Sequence, residues 1–422
     1  MTPVASLLKD VQIPRMIPIR QIFDRDTIKN PGDELLAKML SAQVSEKVLP
    51  GMNIAIAVGS RGIENQPLFV KLIVETIKNR GGSPFLFPAM GSHGGATADG
   101  QRSMLEGMGF TEEYIGAPIR ATMEVNQIGV TDSSLPVYLD KFANQADGIV
   151  LINRIKPHVG FRGPYESGLM KMLSIGVGKQ RGAETCHNLG FGAMAENIPA
   201  IANVVIEKKN IMWSVGVLEN AYHETCRIEI LEKKDIAAKE PLLLETARTL
   251  SPRLHIESLD ALILDEIGKD ISGTGFDNNI LGRYHTPYVS GGPTIRRIAV
   301  LDLTAKSHGN ANGLGILDFT TKRLFDKIDF DQTYPNSLTS TVPLSVKIPM
   351  VLDNDLQAIQ AAIKTCNIPD KSKVRLMRIK NTLKLDEIEV SVSLLEDAQK
   401  HSQIEIVGEA GDLLFDQNGN LF

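Results

Sequence analysis

Short apolar runs alternate with amphipathic helical segments along most of the chain. Residues 52–59 (MNIAIAVG) and residues 148–153 are apolar runs that each predict a buried strand. Between them, residues 66–82 have apolar positions at helical spacing and end in Gly81-Gly82, which predicts a helix. Strands that alternate with helices in this way are typical of an α/β protein with a mainly parallel, helix-covered sheet.

The second half of the chain shows the same alternation. Residues 259–268 and 296–304 predict strands, residues 352–366 a helix, and residues 385–398 a further strand. A chain of 422 residues is long enough for two hydrophobic cores. We therefore predict two α/β domains with an active-site cleft between them. Residues 1–252 would carry the catalytic and cofactor-attachment residues, and residues 253–422 would complete the substrate side.

Polar residues follow three of the predicted strands in the first half. Ser60-Arg61 comes directly after the first strand, His93 lies in the loop PAMGSHGGAT, and His158 follows the strand of residues 148–153. The carboxyl ends of parallel strands meet at one edge of a sheet. We therefore expect Arg61, His93 and His158 to lie near one another.

The glycine-rich stretch of residues 153–190 concentrates the candidate chemistry, since it contains His158, Lys171 and His187. Lys171 lies in the apolar setting GLMKML, where partial loss of water lowers the pKa of an amine and makes it more nucleophilic. For Lys171 alone, the alternative is a lysine whose stem covers apolar surface while its amine reaches water.

Taken in order, these residues resemble the signature of the nickel-dependent lactate racemase family. The resemblance rests on Ser60-Arg61, His93, Pro157-His158, Lys171 and His187, and it covers roughly the first half of the chain. This sequence has a few more residues between His158 and Lys171 than the family pattern.

The resemblance implies a racemase or epimerase of a 2-hydroxy acid that is lactate-like, malate-like or a sugar acid. Lys171 would bind a nickel-pincer nucleotide covalently through a thioamide, His187 would be the nitrogen ligand of the nickel, and Ser60 and Arg61 would contact the cofactor. This cofactor would accept a hydride transiently. The enzymes that build it would then be partners, and protein made without them would lack it.

His93 and His158 match the acid/base pair of the family. Racemisation requires removal of the hydroxyl proton and its return after the α-hydrogen has moved to the other face. Histidine titrates in the range that such proton transfer needs.

The substrate side of the site depends on less regular matches. In the region where the family has a glutamine and a lysine, this chain has no matching lysine, and Asn279 and Arg283 are the nearest polar substitutes. We therefore expect Asn279 at the cofactor and Arg283 at a substrate carboxylate. Lys306 and His308, in the loop KSHGNANG, are further candidates for substrate contact, as is Arg162 among the additional residues.

Composition narrows the possible partners. The net charge of −5 and the lack of a basic run argue against nucleic-acid binding. No apolar run reaches the length of a membrane span, and three widely spaced cysteines fit a reducing compartment. We expect a cytoplasmic protein that acts on a small molecule, binds neither nucleic acid nor membrane, and is compatible with a homo-oligomer.

Two other functions remain open on the sequence alone. The chain could be a metal-dependent hydrolase or lyase in which His93, His158 and His187 bind the metal directly. It could also be a catalytically silent member of the family. Metal that survives Lys171→Ala would favour direct ligation.

Overall fold

A computed structural model describes residues 2–422, which form two compact units. One unit is Asp24–Ser251, and the other combines the residues up to Phe23 with Pro252–Phe422. The strands are β1 Met16–Gln21, β2 Asn53–Val58, β3 Ser83–Pro88, β4 Val125–Val130, β5 Pro136–Asp140, β6 Gly148–Arg154, β7 Ile211–Glu219, β8 Thr225–Leu231, β9 Ser258–Ile267, β10 Thr294–Leu303, β11 Phe319–Thr321, β12 Met350–Leu352, β13 Leu376–Ile379, β14 Glu387–Ser391 and β15 Ile404–Ile406.

The helices flank these strands. They are α1 Pro3–Leu8, α2 Pro31–Ser41, α3 Gln66–Asn79, α4 Ala98–Gly107, α5 Glu112–Ile115, α6 Lys141–Gln145, α7 Leu169–Lys171, α8 Lys179–His187, α9 Met194–Lys208, α10 Ile236–Leu250, α11 Asn278–Leu281, α12 Lys322–Phe325, α13 Phe330–Ser340, α14 Asp355–Thr365 and α15 Leu395–Lys400.

The unit Asp24–Ser251 is built on a five-stranded sheet in the order β3-β2-β6-β7-β8. Its first four strands are parallel, and β8 is antiparallel to β7. The apolar run in β2 buries Ile54, Ile56 and Val58 in one core with Phe69 and Ile73 of α3. Complete burial of each such side chain stabilises the fold by roughly 1.5–3 kcal/mol. A separate antiparallel hairpin, β4-β5, completes the strands of this unit.

The other unit contains an eight-stranded sheet in the order β12-β11-β10-β9-β13-β14-β1-β15. The strands from β12 to β13 run parallel to their neighbours, and β14, β1 and β15 are antiparallel to theirs. The chain is therefore a mixed α/β protein with two mostly parallel sheets, which confirms the predicted fold class.

The first strand of the chain does not join the sheet that follows it in sequence. β1 pairs with β14 and β15, for example Ile17 with Val390 and Ile19 with Ile406. The sequence pattern instead grouped this segment with the rest of residues 1–252. The sequence pattern predicts no strand in this segment, because local patterns carry no information about partner strands near the other end of the chain.

The strand predicted over residues 385–398 is shorter than the pattern indicated. β14 ends at Ser391, and the segment continues through a 3₁₀ turn into α15, Leu395–Lys400. Leucine, glutamate and alanine in this segment favour a helix once the alternating run has ended.

Across residues 2–422, no single helix is long and apolar enough to cross a bilayer. The segments Lys179–His187 and Phe191–Lys208 reach that length and composition only when counted together, and they meet at 93°.

Candidate active site

Three polar loops leave the same edge of the five-stranded sheet. They follow the adjacent parallel strands β2, β3 and β6, and carry Arg61, His93 and His158 respectively. The segment after Lys171 lies across the first two loops. The Gly91 N–H donates to the Gly176 carbonyl over 3.2 Å, and a Cβ on Gly59 would lie 3.4 Å from Met172 Cε. The three loops thus lie at the edge of the sheet where the carboxyl ends of its parallel strands meet, as the sequence pattern predicts.

Lys171 ends the short helix α7 and precedes one π-helical turn, Met172–Gly176. Turns of this kind are frequent at functional sites. Burial lowers the pKa of the Lys171 amine to about 8, and the charges of Lys156 and Arg61 act in the same direction. About a tenth of such amines are neutral at pH 7, far more than for an ordinary lysine. The amine is therefore suited to form a covalent bond.

A buried carboxylate fixes the start of the Lys171 helix. Glu240, from α10, accepts the Met170 N–H over 2.9 Å and also accepts from the Leu169 N–H. Burial raises the pKa of Glu240 to about 7. A Cβ on Gly168 would lie 2.3 Å from Glu240 Oε1, so a larger residue would displace this carboxylate although the φ of 178° is open to any residue. Sequence patterns gave no sign of this contact between distant segments.

His187 is the last residue of α8, and the charge of Lys171 acts on its ring. Burial, followed by the charge of Lys171, lowers the pKa of the imidazole to about 4, so the ring is neutral near pH 7. Its Nδ1 is buried and has no hydrogen-bond partner among residues 2–422. Buried polar atoms rarely lack a partner. A neutral imidazole with such an atom fits the role of a metal ligand.

His158 lies on the same side of the site as His187, since the ring of Phe191 lies near both. The ring centroids of His187 and Phe191 are 5.5 Å apart, and those of His158 and Phe191 are 6.1 Å apart. The ring of Phe161 also packs on His158, with ring centroids 4.5 Å apart. Three aromatic contacts thus orient the two imidazoles.

The loop that carries His158 is closed around a buried carboxylate. Lys156 and Ser167 exchange backbone hydrogen bonds of 2.8 and 3.2 Å at its base. Inside the loop, Glu166 accepts the His158 N–H over 2.6 Å, and its other oxygen lies 2.6 Å from the guanidinium of Arg248. Glu166 was not singled out from the sequence. The sequence shows only an acidic residue within a glycine-rich loop. The structure shows that this side chain is fully buried, which is rare for an acid.

His93 is positioned from behind by a buried polar network. The Gln101 amide donates to the His93 carbonyl over 3.1 Å and to the Gly91 carbonyl over 2.9 Å. Its oxygen accepts from Lys179 over 3.0 Å. Lys179 is fully buried, forms an ion pair of 3.1 Å with Asp140, and donates to the last carbonyl of β3. Because Lys179 begins α8 and His187 ends it, one helix joins the His93 loop to the candidate metal ligand.

Each acid/base candidate has a defined contact at its ring Nδ1. His93 Nδ1 lies 2.9 Å from the Met90 carbonyl oxygen, and His158 Nδ1 accepts the Gly160 N–H over 3.0 Å.

Two cationic side chains act on the Lys171 amine. The charges of Arg61 and Lys156 both act on its amine, and Glu166, which acts in the opposite sense, is already paired with Arg248. Ser60 is partly buried and Arg61 is exposed at the end of β2. Such a concentration of cations suits a phosphate or a carboxylate.

Arg162 supports the His158 loop. Its guanidinium donates to the His158 carbonyl over 2.7 Å and to Glu166 over 3.4 Å.

The four remaining candidates lie in the other unit. Arg283 donates to the Ile295 and Arg296 carbonyls, at the amino end of β10, and pairs with Asp318 over 3.2 Å. Lys306 and His308 are exposed beyond the carboxyl end of the same strand. The structure therefore separates Arg283 from these two. Asn279, on α11, donates its side-chain amide to Asp277 over 3.0 Å.

Within residues 2–422, no three His, Cys, Asp or Glu side chains are grouped as ligands for one metal ion. His93, His158 and His187 thus do not form a three-ligand site by themselves. One histidine ligand, with the others supplied by a group on Lys171, is compatible with this geometry.

Comparison with known proteins identifies a similar domain family and a similar fold. Residues 11–198, which contain Arg61, His93, His158, Lys171 and His187, match the model of the lactate racemase N-terminal domain. The fold is similar to that of the lactate racemase apoprotein from Thermoanaerobacterium thermosaccharolyticum, with a TM-score of 0.51 and 13% identity over 88% of this chain and 99% of that one. No curated protein sequence matches. Residues 11–198 of this chain belong to the lactate racemase N-terminal domain family.

Proposed function

We propose that this protein is a racemase or epimerase of a 2-hydroxy acid, with a nickel-pincer nucleotide attached to Lys171. The observation that supports this proposal most directly is the electrostatic interaction of two unusual groups. The Lys171 amine has a pKa of about 8, and its charge acts on the His187 imidazole, whose buried Nδ1 has no hydrogen-bond partner among residues 2–422.

The residues of the site fit this nucleotide. Because its pKa is lowered, the Lys171 amine is more often neutral and can form the thioamide bond. The His187 imidazole is neutral near pH 7, the form that binds nickel. Ser60 and Arg61, at the end of β2, suit its phosphate. When bound, the nucleotide supplies the electron sink for oxidation at the α-carbon of the substrate.

The side chains of the protein bind the substrate and move its hydroxyl proton. The charge of Lys156, close to Lys171, suits the substrate carboxylate. His93 and His158 are the acid/base groups, anchored by Gln101 and Glu166. Phe161 and Phe191 provide an apolar wall beside His158, which limits the access of water to the reacting centre.

The substrate, partners and location follow from the same proposal. Lactate, malate and a sugar acid are the candidate substrates, and Asn279, Lys306 and His308 are the candidates for contact from the other unit. The enzymes that build the nucleotide are the expected partners, in the cytoplasm.

Attachment of the nucleotide can be tested by intact-mass and metal measurements. The chain is produced together with the cofactor-building enzymes, beside Lys171→Ala and the control Lys208→Ala, which alters an exposed lysine of α9. The parent chain and Lys208→Ala are expected to gain the mass of the nucleotide and bind nickel, while Lys171→Ala gains neither. Unmodified parent mass with no nickel contradicts the proposal.

Activity is then measured as loss of optical rotation with each enantiomer of lactate, malate and a sugar acid. Racemisation that disappears in Lys171→Ala supports the proposal. No change in rotation with any of the acids, in protein that carries the nucleotide, contradicts a racemase of these substrates.

A further inference from the structure

We propose that Glu240 is a positioning residue for Lys171. Its carboxylate holds the turn that ends at Lys171, which keeps the amine buried and makes this placement depend on the charge of Glu240. This role rests on the proposed function, in which Lys171 is the attachment point, although the contacts that support it involve only the protein.

The turn that presents Lys171 is too short to be stable by itself. Helix α7 contains only Leu169, Met170 and Lys171, whereas an isolated helix needs roughly 12–15 residues to be stable in water. The first N–H groups of a helix have no partner within it. Glu240 supplies that partner, since its carboxylate accepts the Met170 N–H over 2.9 Å and the Leu169 N–H as well. The start of the turn therefore depends on an acid 70 positions away in sequence.

A second contact holds the residue before α7. The Asn153 side-chain amide, near the end of β6, donates to the Gly168 carbonyl over 2.8 Å. No side chain separates Gly168 from the acid, because a Cβ there would lie 2.3 Å from Glu240 Oε1. The backbone that leads into Lys171 is thus fixed by one side chain from β6 and one from α10.

The position of the Lys171 amine determines its reactivity. Burial is the largest cause of its depressed pKa, and that burial depends on where the turn places the side chain. If the turn loosens, the amine reaches water and its pKa rises toward the ordinary value of 10.5. Glu240 therefore acts on Lys171 through the backbone that joins them.

The charge of Glu240 makes this placement sensitive to pH. Burial raises the pKa of Glu240 to about 7, and the N–H groups of Met170 and Leu169 act against this rise. The carboxylate is therefore the main form above pH 7 and is lost as the pH falls through 7. A neutral carboxyl accepts weaker hydrogen bonds than a carboxylate. The other oxygen, Oε1, is buried without a hydrogen-bond partner among residues 2–422, so a proton bound there would lack an acceptor.

Tyr165 is the titratable side chain that faces Glu240 from the loop before α7. Its hydroxyl donates to the Ala237 carbonyl over 2.7 Å, and burial, followed by the charge of Glu240, raises its pKa above the ordinary value. The phenol is therefore neutral near pH 7. On α10 itself, the exposed Lys239 pairs with Asp235 over 3.2 Å. A change in the turn near pH 7 is thus assigned to Glu240.

Acylation of the unloaded chain measures the placement of Lys171. Its rate is followed against pH by mass spectrometry of peptides in the parent, Glu240→Leu and Glu240→Gln. Leucine accepts no hydrogen bond, so Glu240→Leu is expected to move the midpoint for Lys171 upward from about 8 by about one pH unit or more. Glutamine keeps a neutral acceptor oxygen, so Glu240→Gln is expected to shift the midpoint less. Glu245→Gln, which alters an exposed acid of the same helix, is the control and is expected to keep the midpoint of the parent.

The slope of the same profile tests the charge of Glu240. Below pH 7 the rate in the parent is expected to fall more steeply than binding of one proton allows, because Glu240 and Lys171 both become protonated. Glu240→Gln is expected to show the slope of a single proton. A midpoint near 8 in all four chains, or a single-proton slope in the parent, overturns the proposal. The slope in the parent decides the matter even if Glu240→Leu does not fold.

Attachment of the nucleotide provides a separate test. In cells that make the nucleotide, a smaller fraction of Glu240→Leu chains is expected to carry the added mass than of the parent or Glu245→Gln. Equal fractions in Glu240→Leu and a loaded parent contradict the positioning role. Absence of the added mass from the parent contradicts only the proposed function, because the acylation profiles are measured without the nucleotide.

Discussion

The charge of Lys171 acts on the His187 imidazole, and burial together with this charge lowers the pKa of the ring to about 4. In the proposed function, conversion of Lys171 into a neutral thioamide would remove this charge. Attachment of the nucleotide would then favour metal binding at His187, because the new bond would also remove a repulsion against a cation bound there.

We predict that His187→Ala separates attachment from metal binding. The variant is expected to keep the added mass on Lys171, because the amine is unchanged, but to lose most of its nickel. Intact mass and metal analysis of the same sample measure the two properties. His308→Ala, an exposed histidine in the other unit, is the control and is expected to retain both. Full nickel content in His187→Ala would show that another residue is the ligand.

We predict that Lys171 reacts as an amine at unusually low pH. Its pKa of about 8 lies below the ordinary value of 10.5, so the neutral form becomes dominant as the pH rises through 8. Acylation of the unloaded chain, followed by mass spectrometry of peptides, is expected to show this midpoint for Lys171. The exposed Lys208 serves as the reference lysine. Identical profiles for the two lysines would contradict the depressed pKa.

We predict that removal of one partner of the buried Lys179–Asp140 ion pair destabilises the fold more than replacement of both. Lys179→Met leaves the Asp140 carboxylate buried without its partner and is expected to reduce the free energy of unfolding by roughly 3–5 kcal/mol. The double variant Lys179→Met/Asp140→Asn removes the stranded charge yet keeps an oxygen that caps α6, so it is expected to recover part of the loss. Urea unfolding measures both.

Racemase activity is expected to be low in both the single and the double variant. Each removes the hydrogen bond from Lys179 to Gln101, and Gln101 is the residue that binds the His93 carbonyl. If the double variant is no more stable than the single one, the loss comes from packing and not from the unpaired charge.

Gly168→Ala is predicted to disturb Lys171 without any direct contact with it. The new methyl group would lie 2.3 Å from Glu240 Oε1 and would displace the carboxylate from the N–H groups of Leu169 and Met170. We expect a loss of roughly 1–3 kcal/mol, the cost of unsatisfied buried groups, together with slower attachment of the nucleotide. Thermal unfolding and a time course of intact mass check these effects.

Gly107→Ala is a matched control for this variant, since an added Cβ meets no atom within 4 Å there. Equal behaviour of the two alanine variants would argue against the role of Glu240.

Much of this site is accessible from local sequence patterns. The apolar runs of β2 and β6 identify parallel strands, and the polar residues directly after them must share an edge, which brings Arg61 and His158 together. The apolar neighbours of Lys171 likewise predict its depressed pKa.

The residues that hold the site in place were not predicted, because their partners lie far away in sequence. Glu240 reaches Met170 across 70 positions, and Lys179 reaches Pro88 across 91. Which buried polar groups meet is decided by tertiary packing. The pairing of β1 with β14 was missed for the same reason.

The nine residues of α8 set a fixed span between Lys179 at one end and His187 at the other. One inserted residue would swing His187 by about 100° and advance it by about 1.5 Å, which would carry the imidazole away from the amine. Engineering of this protein can therefore vary exposed positions of α8 such as Gln180 and Glu184, but it must keep the number of residues in the helix unchanged.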